Sequence, residues 1–475
     1  MGFFKAYDMR GTFGSDFDLD TVLRVGRALP SVVTPGSRPR WLVGRDCRTT
    51  SDAVHDALVT GLSEAGAEVS DLGRCTTPMV YFFTAADGYD GSVMVTASHN
   101  PPSDNGLKVS RTTALPVGYA DGLDKVERMV AASAGDDGRS GVRRPAAVTE
   151  PDDGRMLARY IAWQREHGGA PDGVKYAVDC SSGMASLVAH ELFPGAVFVN
   201  DTPDGTFPAH SPNPLKAEAR EQIARVVREK GLDCGVIFDG DADRAMFVDE
   251  RGDFVQPDYL IPVVARATRR FCGVSSAVAP RIIHDVRTSR GAIEALRESG
   301  FDPVMVPVGH SFAKPALRLH GALCGGELAG HYYFSEFFGC DSGVLAALRV
   351  LSEVALAKAR CETFSEMMRP IVSRYANSGE MNFKVEDPLS QKLRRTGKDA
   401  KDLAIDRVLA VAKTLGKETS RSEIDGVRIE YEDGWINVRK SNTEPYLRLV
   451  VECRGADMLE KWTDALASAI GEERQ

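Results

Sequence analysis

A chain of several α/β domains closed by an antiparallel α+β module is what the sequence predicts, from three observations. Strand-like and helix-like runs alternate through roughly the first three quarters, short β-rich runs crowd the last hundred residues, and 475 residues exceed what one core can serve. At about 150 residues per domain the length gives roughly three, or four if they are small. In order, the run 41–44 reads as a strand, and over 51–66 Val54, Leu58, Val59 and Leu62 recur on one side of a helix. Residues 92–96 form a buried strand that Asn100, Pro101 and Pro102 stop, which leaves Ser98 on a loop at a strand end, where α/β proteins place their chemistry. The pattern returns in 176–179 before a helical stretch at 182–193, in 235–238 before a cluster of aspartates, and in 304–306 after a helical stretch at 290–300. Mostly parallel sheets covered by helices are implied. Runs 427–431, 435–438 and 447–451, joined by short turns and followed by a helix at 458–470, make the antiparallel module. Glycine, serine and charge accumulate at 131–144, 251–253 and 373–379, the candidate boundaries.

A net charge of -9 with both signs interspersed gives no footprint for nucleic acid or an anionic membrane, so anionic ligands must be met by local Arg and Lys clusters. The nine cysteines are scattered and never spaced as Cys-x-x-Cys, which argues against a disulfide framework or a thiolate metal site and fits a reducing cytoplasm. The start of the chain lacks the apolar core of a signal peptide, Ala6 breaks the myristoylation pattern, and no uncharged run reaches the ~18 residues that span a bilayer. A soluble cytoplasmic protein is expected.

Asp239, Asp241 and Asp243 alternate, so in an extended segment all three carboxylates face one way. Two such charges about 4 Å apart repel by roughly 4 kcal/mol at an effective dielectric near 20. Folded domains are stable by only ~5 to 15 kcal/mol, so a cation or protonation must relieve three such pairs. Hard oxygen ligands suit Mg²⁺. An exposed acidic turn is disfavoured by the apolar flanks 236–238 and 246–248. An EF-hand loop would find Glu250 at its twelfth position, but Arg244 stands at the sixth, where the turn needs glycine. A haloacid-type Asp nucleophile lacks its usual threonine. Adjacent side chains in an extended loop point apart, so His99 is a poor base for Ser98. The Ser181-Ser182-Gly183 turn lacks the spacing of a dinucleotide or P-loop site and reads as structural.

Six strings occur together: 5–11 (Lys-Ala-Tyr-Asp-Met-Arg-Gly), the Ser98 loop 96–101 (Thr-Ala-Ser-His-Asn-Pro) continuing to 105–108 (Asn-Gly-Leu-Lys), 239–244 (Asp-Gly-Asp-Ala-Asp-Arg), 308–311 (Val-Gly-His-Ser) with Lys314, 326–331 (Gly-Glu-Leu-Ala-Gly-His), and 439–445 (Arg-Lys-Ser-Asn-Thr-Glu-Pro). In order and spacing the chain resembles the α-D-phosphohexomutase family, in its bacterial phosphomannomutase/phosphoglucomutase branch, over nearly its full length. The resemblance implies four domains around a central cleft. Three are α/β with mixed sheets, at 1–149 with a phosphoserine loop, 150–252 with a metal loop and 253–371 with a sugar loop. The fourth, at 372–475, is an antiparallel α+β phosphate-binding domain; because water must be excluded during such transfer, it is expected to rotate on its linker when ligand binds.

The resemblance also implies a chemistry. Ser98 carries a phosphoryl group, Mg²⁺ is held by Ser98, Asp239, Asp241 and Asp243, and hexose 6-phosphate and hexose 1-phosphate interconvert through a hexose 1,6-bisphosphate, which also serves as activator. Lys108 and His331 become candidates for the proton transfers, and Arg10 and Arg244 for charge stabilisation at the transferring group. Tyr7, Arg287, Gly309, His310 and Glu327 fall in substrate-reading segments, and Arg439, Ser441, Asn442 and Thr443 in the loop that grips the far phosphate. Two positions depart from the family: Ala329 replaces the usual serine, and Arg287 stands where lysine is common. Arg448 reads as an ordinary strand-face charge. The expected partners are mannose or glucose phosphates, with no nucleic acid and no membrane, for a monomer or small homo-oligomer. The alternatives are a phosphoserine-dependent sugar-phosphate phosphatase, a phosphoglucosamine mutase, or a non-catalytic sensor that tolerates Ser98→Ala.

Overall fold

The alternating runs fold into four sheets in a computed structural model that describes residues 2–133, 153–385, 399–441 and 446–471. The first sheet has the spatial order Met9–Thr12, Asp104–Arg111, Gly91–Val95, Arg40–Arg45, Glu68–Arg74. Only the last three strands run parallel, and Asp104–Arg111 returns antiparallel to both its neighbours. In the second sheet Tyr176–Asp179 is parallel to Val197–Val199 and to Cys234–Phe238, after which Ala245–Asp249 and Phe254–Val255 are antiparallel. The third places Arg281–Asp285 parallel to Asp302–Val306 and Cys324–Gly326, then adds Tyr332–Phe334 and Cys340–Asp341 as antiparallel strands.

The mostly parallel sheets read from the alternating runs are thus corrected to the mixed sheets that the resemblance implied, and the reason bears on function. Gly91–Val95 to Asp104–Arg111, Cys234–Phe238 to Ala245–Asp249, and Cys324–Gly326 to Tyr332–Phe334 are each an antiparallel pair joined by one short loop. Those loops carry Ser98, the aspartates and Glu327. A hairpin stem fixes both ends of its loop by ladder hydrogen bonds, a firmer mount than a crossover connection. The helix read from residue 182 begins only at Ser186. Ser181 and Ser182 are left-handed (φ 52° and 51°), and the Ser181 hydroxyl donates to the Phe238 carbonyl at 2.5 Å, so this turn braces the aspartate loop instead of extending the helix.

The fourth sheet is antiparallel throughout, in the order Ala376–Asn377, Tyr446–Cys453, Gly434–Lys440, Val427–Tyr431, Glu418–Ser422, with Met381–Lys384 also on Tyr446–Cys453. Among the described residues two helices, Ala400–Ala412 and Ala456–Ile470, join this sheet.

Burial differs between the seams. One apolar core runs without a break from Leu42 to Ile371 across the first three sheets. Helix Thr77–Ala86 sits at its centre, buried along most of its length, with Phe82 against Tyr160 and Phe337. The fourth module has its own core, including Phe383, Val408, Ile436 and Leu449. Its seam with the third sheet is polar: the Arg290 guanidinium donates to Glu430 and to the carbonyls of Tyr431 and Gly434, and buried Arg428 donates to the carbonyls of Val286 and Thr288. All nine cysteines are unpaired, and among the described residues no helix is long and apolar enough to cross a membrane.

Near that seam Asp258 is fully buried, accepts from the Ser289 N–H (2.8 Å) and Gln256 Nε2 (2.9 Å), and is pushed up to about 7 by burial. The folded chain keeps a proton there that an unfolded carboxyl loses near pH 4. Stability therefore falls as pH rises from about 4 to about 7, by up to ~4 kcal/mol at 1.36 kcal/mol per unit. Asp258→Asn carries no such penalty. Its melting temperature is expected to exceed that of the unmodified protein above pH 7 and to lose the advantage near pH 4; a pH-independent difference would count against the assignment.

Candidate active site

Ser98 and the aspartate loop, 141 residues apart in sequence, meet directly: Ser98 Oγ donates to Asp239 Oδ2 at 2.7 Å, and both residues are buried. The approach is close enough to require a glycine, since a Cβ on Gly240 would lie 2.6 Å from the Ser98 carbonyl oxygen. Ser98 is left-handed (φ 52°) and its N–H donates to Thr96 Oγ1 at 2.8 Å. That backbone turn corrects the expectation for His99, whose Nδ1 comes within 3.4 Å of Ser98 Oγ. Burial, reinforced by Arg244 and Arg10, holds the His99 imidazole well below its usual pKa and so neutral.

The three aspartates converge, although not through strand alternation. Residues 239–243 form a tight loop with Ala242 left-handed (φ 63°), and one oxygen from each carboxylate falls within 4.8 Å of the others. Lys108 Nζ donates to Asp241 Oδ2 and Asp243 Oδ2, both at 2.6 Å. Thr77, at the N-terminus of its helix, gives its hydroxyl to Asp241 Oδ2 (2.5 Å) and its N–H to the Asp241 carbonyl (3.0 Å). Burial pushes Asp239 well above the usual carboxylate range, helped by the neighbouring Asp243 and Asp241 charges. For Asp243, burial acts the same way but Lys108 and His331 overcome it, and the carboxylate stays ionised. Burial also opposes the charge on Lys108, yet Asp241 and Asp243 raise its pKa above the ordinary lysine value.

This donor set fits a hard divalent cation. Three buried carboxylates converge, and Asp241 Oδ1 and Asp243 Oδ1 are buried without a hydrogen-bond donor. Asp243, His331 and Asp341 also bring ligand atoms within 4.8 Å, but there Lys314 Nζ already lies 2.8 Å from Asp341, and protein charge balances the group.

Arg244 joins this floor to the sugar loop. Its N–H donates to Asp239 Oδ1 (3.2 Å), its Nε donates to His331 Nε2 (2.9 Å), and the two residues form an isolated antiparallel bridge. His331 Nδ1 faces Asp341 Oδ2 at 2.8 Å. Arg10 pairs with Asp8 (2.5 Å) and Asn100 (3.1 Å), beside the serine loop. Glu327 is buried and accepts from the Tyr333 hydroxyl at 2.6 Å, and burial raises its pKa. Tyr7 donates to the Val308 carbonyl (3.1 Å) and stacks edge-on against His310, while Gly309 (φ 118°) lies so close that a Cβ would meet the Tyr7 ring at 3.0 Å. Burial and Lys314 hold His310 well below its usual pKa.

The far end is an arginine cluster. Glu380 is contacted by Arg287 (3.0 Å), Arg439 (3.1 Å) and Arg448 (2.9 Å), and against the effect of burial these three arginines hold its carboxyl well below the usual range. Arg448, expected as an ordinary strand-face charge, is therefore corrected to a member of this cluster: it pairs across the ladder with Arg439, so both side chains share one face. Ser441 follows strand Gly434–Lys440, its N–H donating to the Tyr446 carbonyl at 2.9 Å. Asn442 and Thr443 lie outside the described residues, as does most of the candidate boundary at 131–144.

Thr77, Asp341, Glu380 and Arg48 escaped the sequence reading. The first had a signal in Thr76-Thr77-Pro78, a helix start before an all-apolar run, and the last in Asp46-x-Arg48 at the end of strand Arg40–Arg45.

Comparisons agree with this geometry. Family models described as phosphoglucomutase/phosphomannomutase α/β/α domains I, II and III and C-terminal domain match residues 1–134, 161–252, 256–375 and 380–469. The chain is 34% identical over 466 residues to a phosphomannomutase of Salmonella montevideo, covering 95% of each. It is 34% identical over 472 residues to a protein named phosphohexose mutases from Xanthomonas campestris pv. campestris, covering 98% of each. Among solved structures, a phosphoglucomutase/phosphomannomutase family protein from Burkholderia thailandensis superposes with a TM-score of 0.81 at 27% identity, covering 100% of this chain and 99% of that one. The open form of parafusin, a phosphoglucomutase from Paramecium, gives a TM-score of 0.72 over 99% and 93% of the two chains, at 17% identity a likeness of fold alone.

Proposed function

The chain belongs to the phosphoglucomutase/phosphomannomutase family, and from that membership we infer that it interconverts hexose 6-phosphate and hexose 1-phosphate. Mannose and glucose phosphates are the hexoses we expect, in the cytoplasm, where nine unpaired cysteines stay reduced. The observation that carries the reading is the 2.7 Å contact of Ser98 Oγ with Asp239 beside two further converging carboxylates.

In this reading Ser98 Oγ carries the phosphoryl group. A sugar hydroxyl attacks phosphorus, the P–Oγ bond breaks, and a hexose 1,6-bisphosphate forms; the sugar then turns end for end and Ser98 Oγ takes the other phosphoryl group back. Mg²⁺, held by Ser98, Asp239, Asp241 and Asp243, would supply charge neutralisation at the phosphoryl oxygens. Arg10 and Arg244 offer further donors beside the serine. His331 is oriented by Asp341 through Nδ1, so its Nε2 is the atom that takes the hydroxyl proton once Arg244 yields it. Lys108 is cationic while it bridges Asp241 and Asp243, and it exchanges a proton only on release from them.

Glu327 and Arg287 are expected to face the sugar, with Tyr7, Gly309 and His310 completing the substrate-reading surface. Arg439, Ser441, Asn442 and Thr443 grip the non-reacting phosphate. The buried serine favours transfer to a sugar over transfer to water.

Phosphorus NMR tests this. With Mg²⁺ and a catalytic amount of glucose 1,6-bisphosphate, the 1-phosphates of mannose and glucose are expected to equilibrate with their 6-phosphates. Steady accumulation of inorganic phosphate would identify a phosphatase instead, and turnover of glucosamine 1-phosphate alone a different sugar class.

A further inference from the structure

We propose that Arg48 is a positioning residue for the phosphoryl-carrying serine, a clamp that sets the Ser98 loop from beneath; this rests on the mutase reading. Its side chain has no exposed surface. Nη1 donates to the carbonyls of Pro101 (2.6 Å) and Asp104 (2.9 Å), and Nη2 to those of Ser98 (2.8 Å) and Asn100 (2.7 Å). Four carbonyls from one seven-residue stretch, 98–104, thus converge on one guanidinium, which Asp46 pairs at 3.2 Å through Nε.

Two consequences follow from the chemistry. The left-handed turn at Ser98 is a strained conformation for a residue with a side chain, and it persists only where surrounding contacts over-determine it. Arg48 supplies those contacts on the carbonyl side. The same bonds also turn the negative ends of four peptide dipoles toward the guanidinium, in the loop whose serine is to carry a group of charge near -2.

The second domain seals this clamp. The Phe207 ring lies 5.0 Å from the guanidinium, and a Cβ on Gly205 would fall 2.3 Å from the Cys47 carbonyl and 2.5 Å from the Arg48 Cα. The Ser98 carbonyl is therefore held between Arg48 of the first domain and Gly240 of the second, so the arginine fixes the loop relative to the aspartates as well as within its own sheet. Lysine cannot replace it: one ammonium has three donors and no fork, and it cannot serve two carbonyl pairs at once.

Arg48→Lys in the full-length protein separates charge from geometry, and Arg48→Met combined with Asp46→Asn removes the pair without stranding a buried carboxylate. The rate at which glucose 1,6-bisphosphate phosphorylates Ser98, read by intact mass, and kcat are expected to fall together by about 10²-fold in both variants, with KM within about threefold. Hydrogen exchange is expected to quicken at amides 97–105 while strand Gly91–Val95 stays protected. Unchanged phosphorylation and kcat in Arg48→Lys would overturn the proposal, and so would faster exchange spread evenly over the whole first domain. Unmodified protein that takes up no phosphate would refute the mutase reading instead, and the exchange comparison would still decide whether Arg48 sets the loop.

Discussion

Ser98→Ala is expected to lower isomerisation by at least about 10⁴-fold while leaving the chain folded, the scale on which losing a nucleophile leaves only binding and electrostatics. No neighbour can take over the role. His99 is held neutral 3.4 Å away, and Thr96 Oγ1 is committed to accepting the Ser98 N–H. Alanine keeps the backbone bonds to Arg48 and loses the hydroxyl bond to Asp239 and the longer contact with His99, the former costing about 1–3 kcal/mol for a buried acceptor left unpaired. Intact mass after incubation with glucose 1,6-bisphosphate should show one phosphate on the unmodified protein and none on the variant. Turnover surviving in the alanine variant would mean that another group carries the phosphoryl.

Lys108→Met is expected to destabilise the metal-free protein by about 3–5 kcal/mol, since it strips the nearest counter-charge from three buried carboxylates. Arg244, the nearest arginine among the described residues, is 3.7 Å from Asp239 and 3.9 Å from Asp243, too distant to replace two contacts of 2.6 Å. Mg²⁺ binds the same carboxylates in the proposed reading, so it should restore most of the loss. Its addition after chelator treatment should raise the melting temperature of the variant by more than that of the unmodified protein. Equal shifts for the two would show that ammonium and metal do not share these oxygens. Turnover should fall even with metal restored, because proton transfer by a positioned side chain contributes on the order of 10² to 10⁴.

The reacting groups themselves were legible because they lie in compact strings: a serine after a buried strand, and three aspartates between apolar flanks. Their geometry was not. Alternation of Asp239, Asp241 and Asp243 gave the right convergence for the wrong reason, since Ala242 turns left-handed and closes a hairpin loop. The left-handed Ser98 leaves no mark in composition either, and it is what brings His99 to the serine. Strand direction depends on pairings made far along the chain, which is why the alternating runs alone pointed to mostly parallel sheets and only the family resemblance to mixed ones. Arg48, Asp341 and Glu380 went unnoticed because their partners are backbone carbonyls or side chains distant in sequence.

The unbroken apolar core of the first three sheets and the ionic seam of the fourth differ in what they permit. Sliding greasy surfaces apart exposes them to water, whereas an arginine can trade one oxygen for another at little net expense. The enzyme is thus a vice with one jaw fixed to the bench. We infer that nucleophile and carboxylates hold their register during turnover and that the fourth module is the lever expected to open and shut above them.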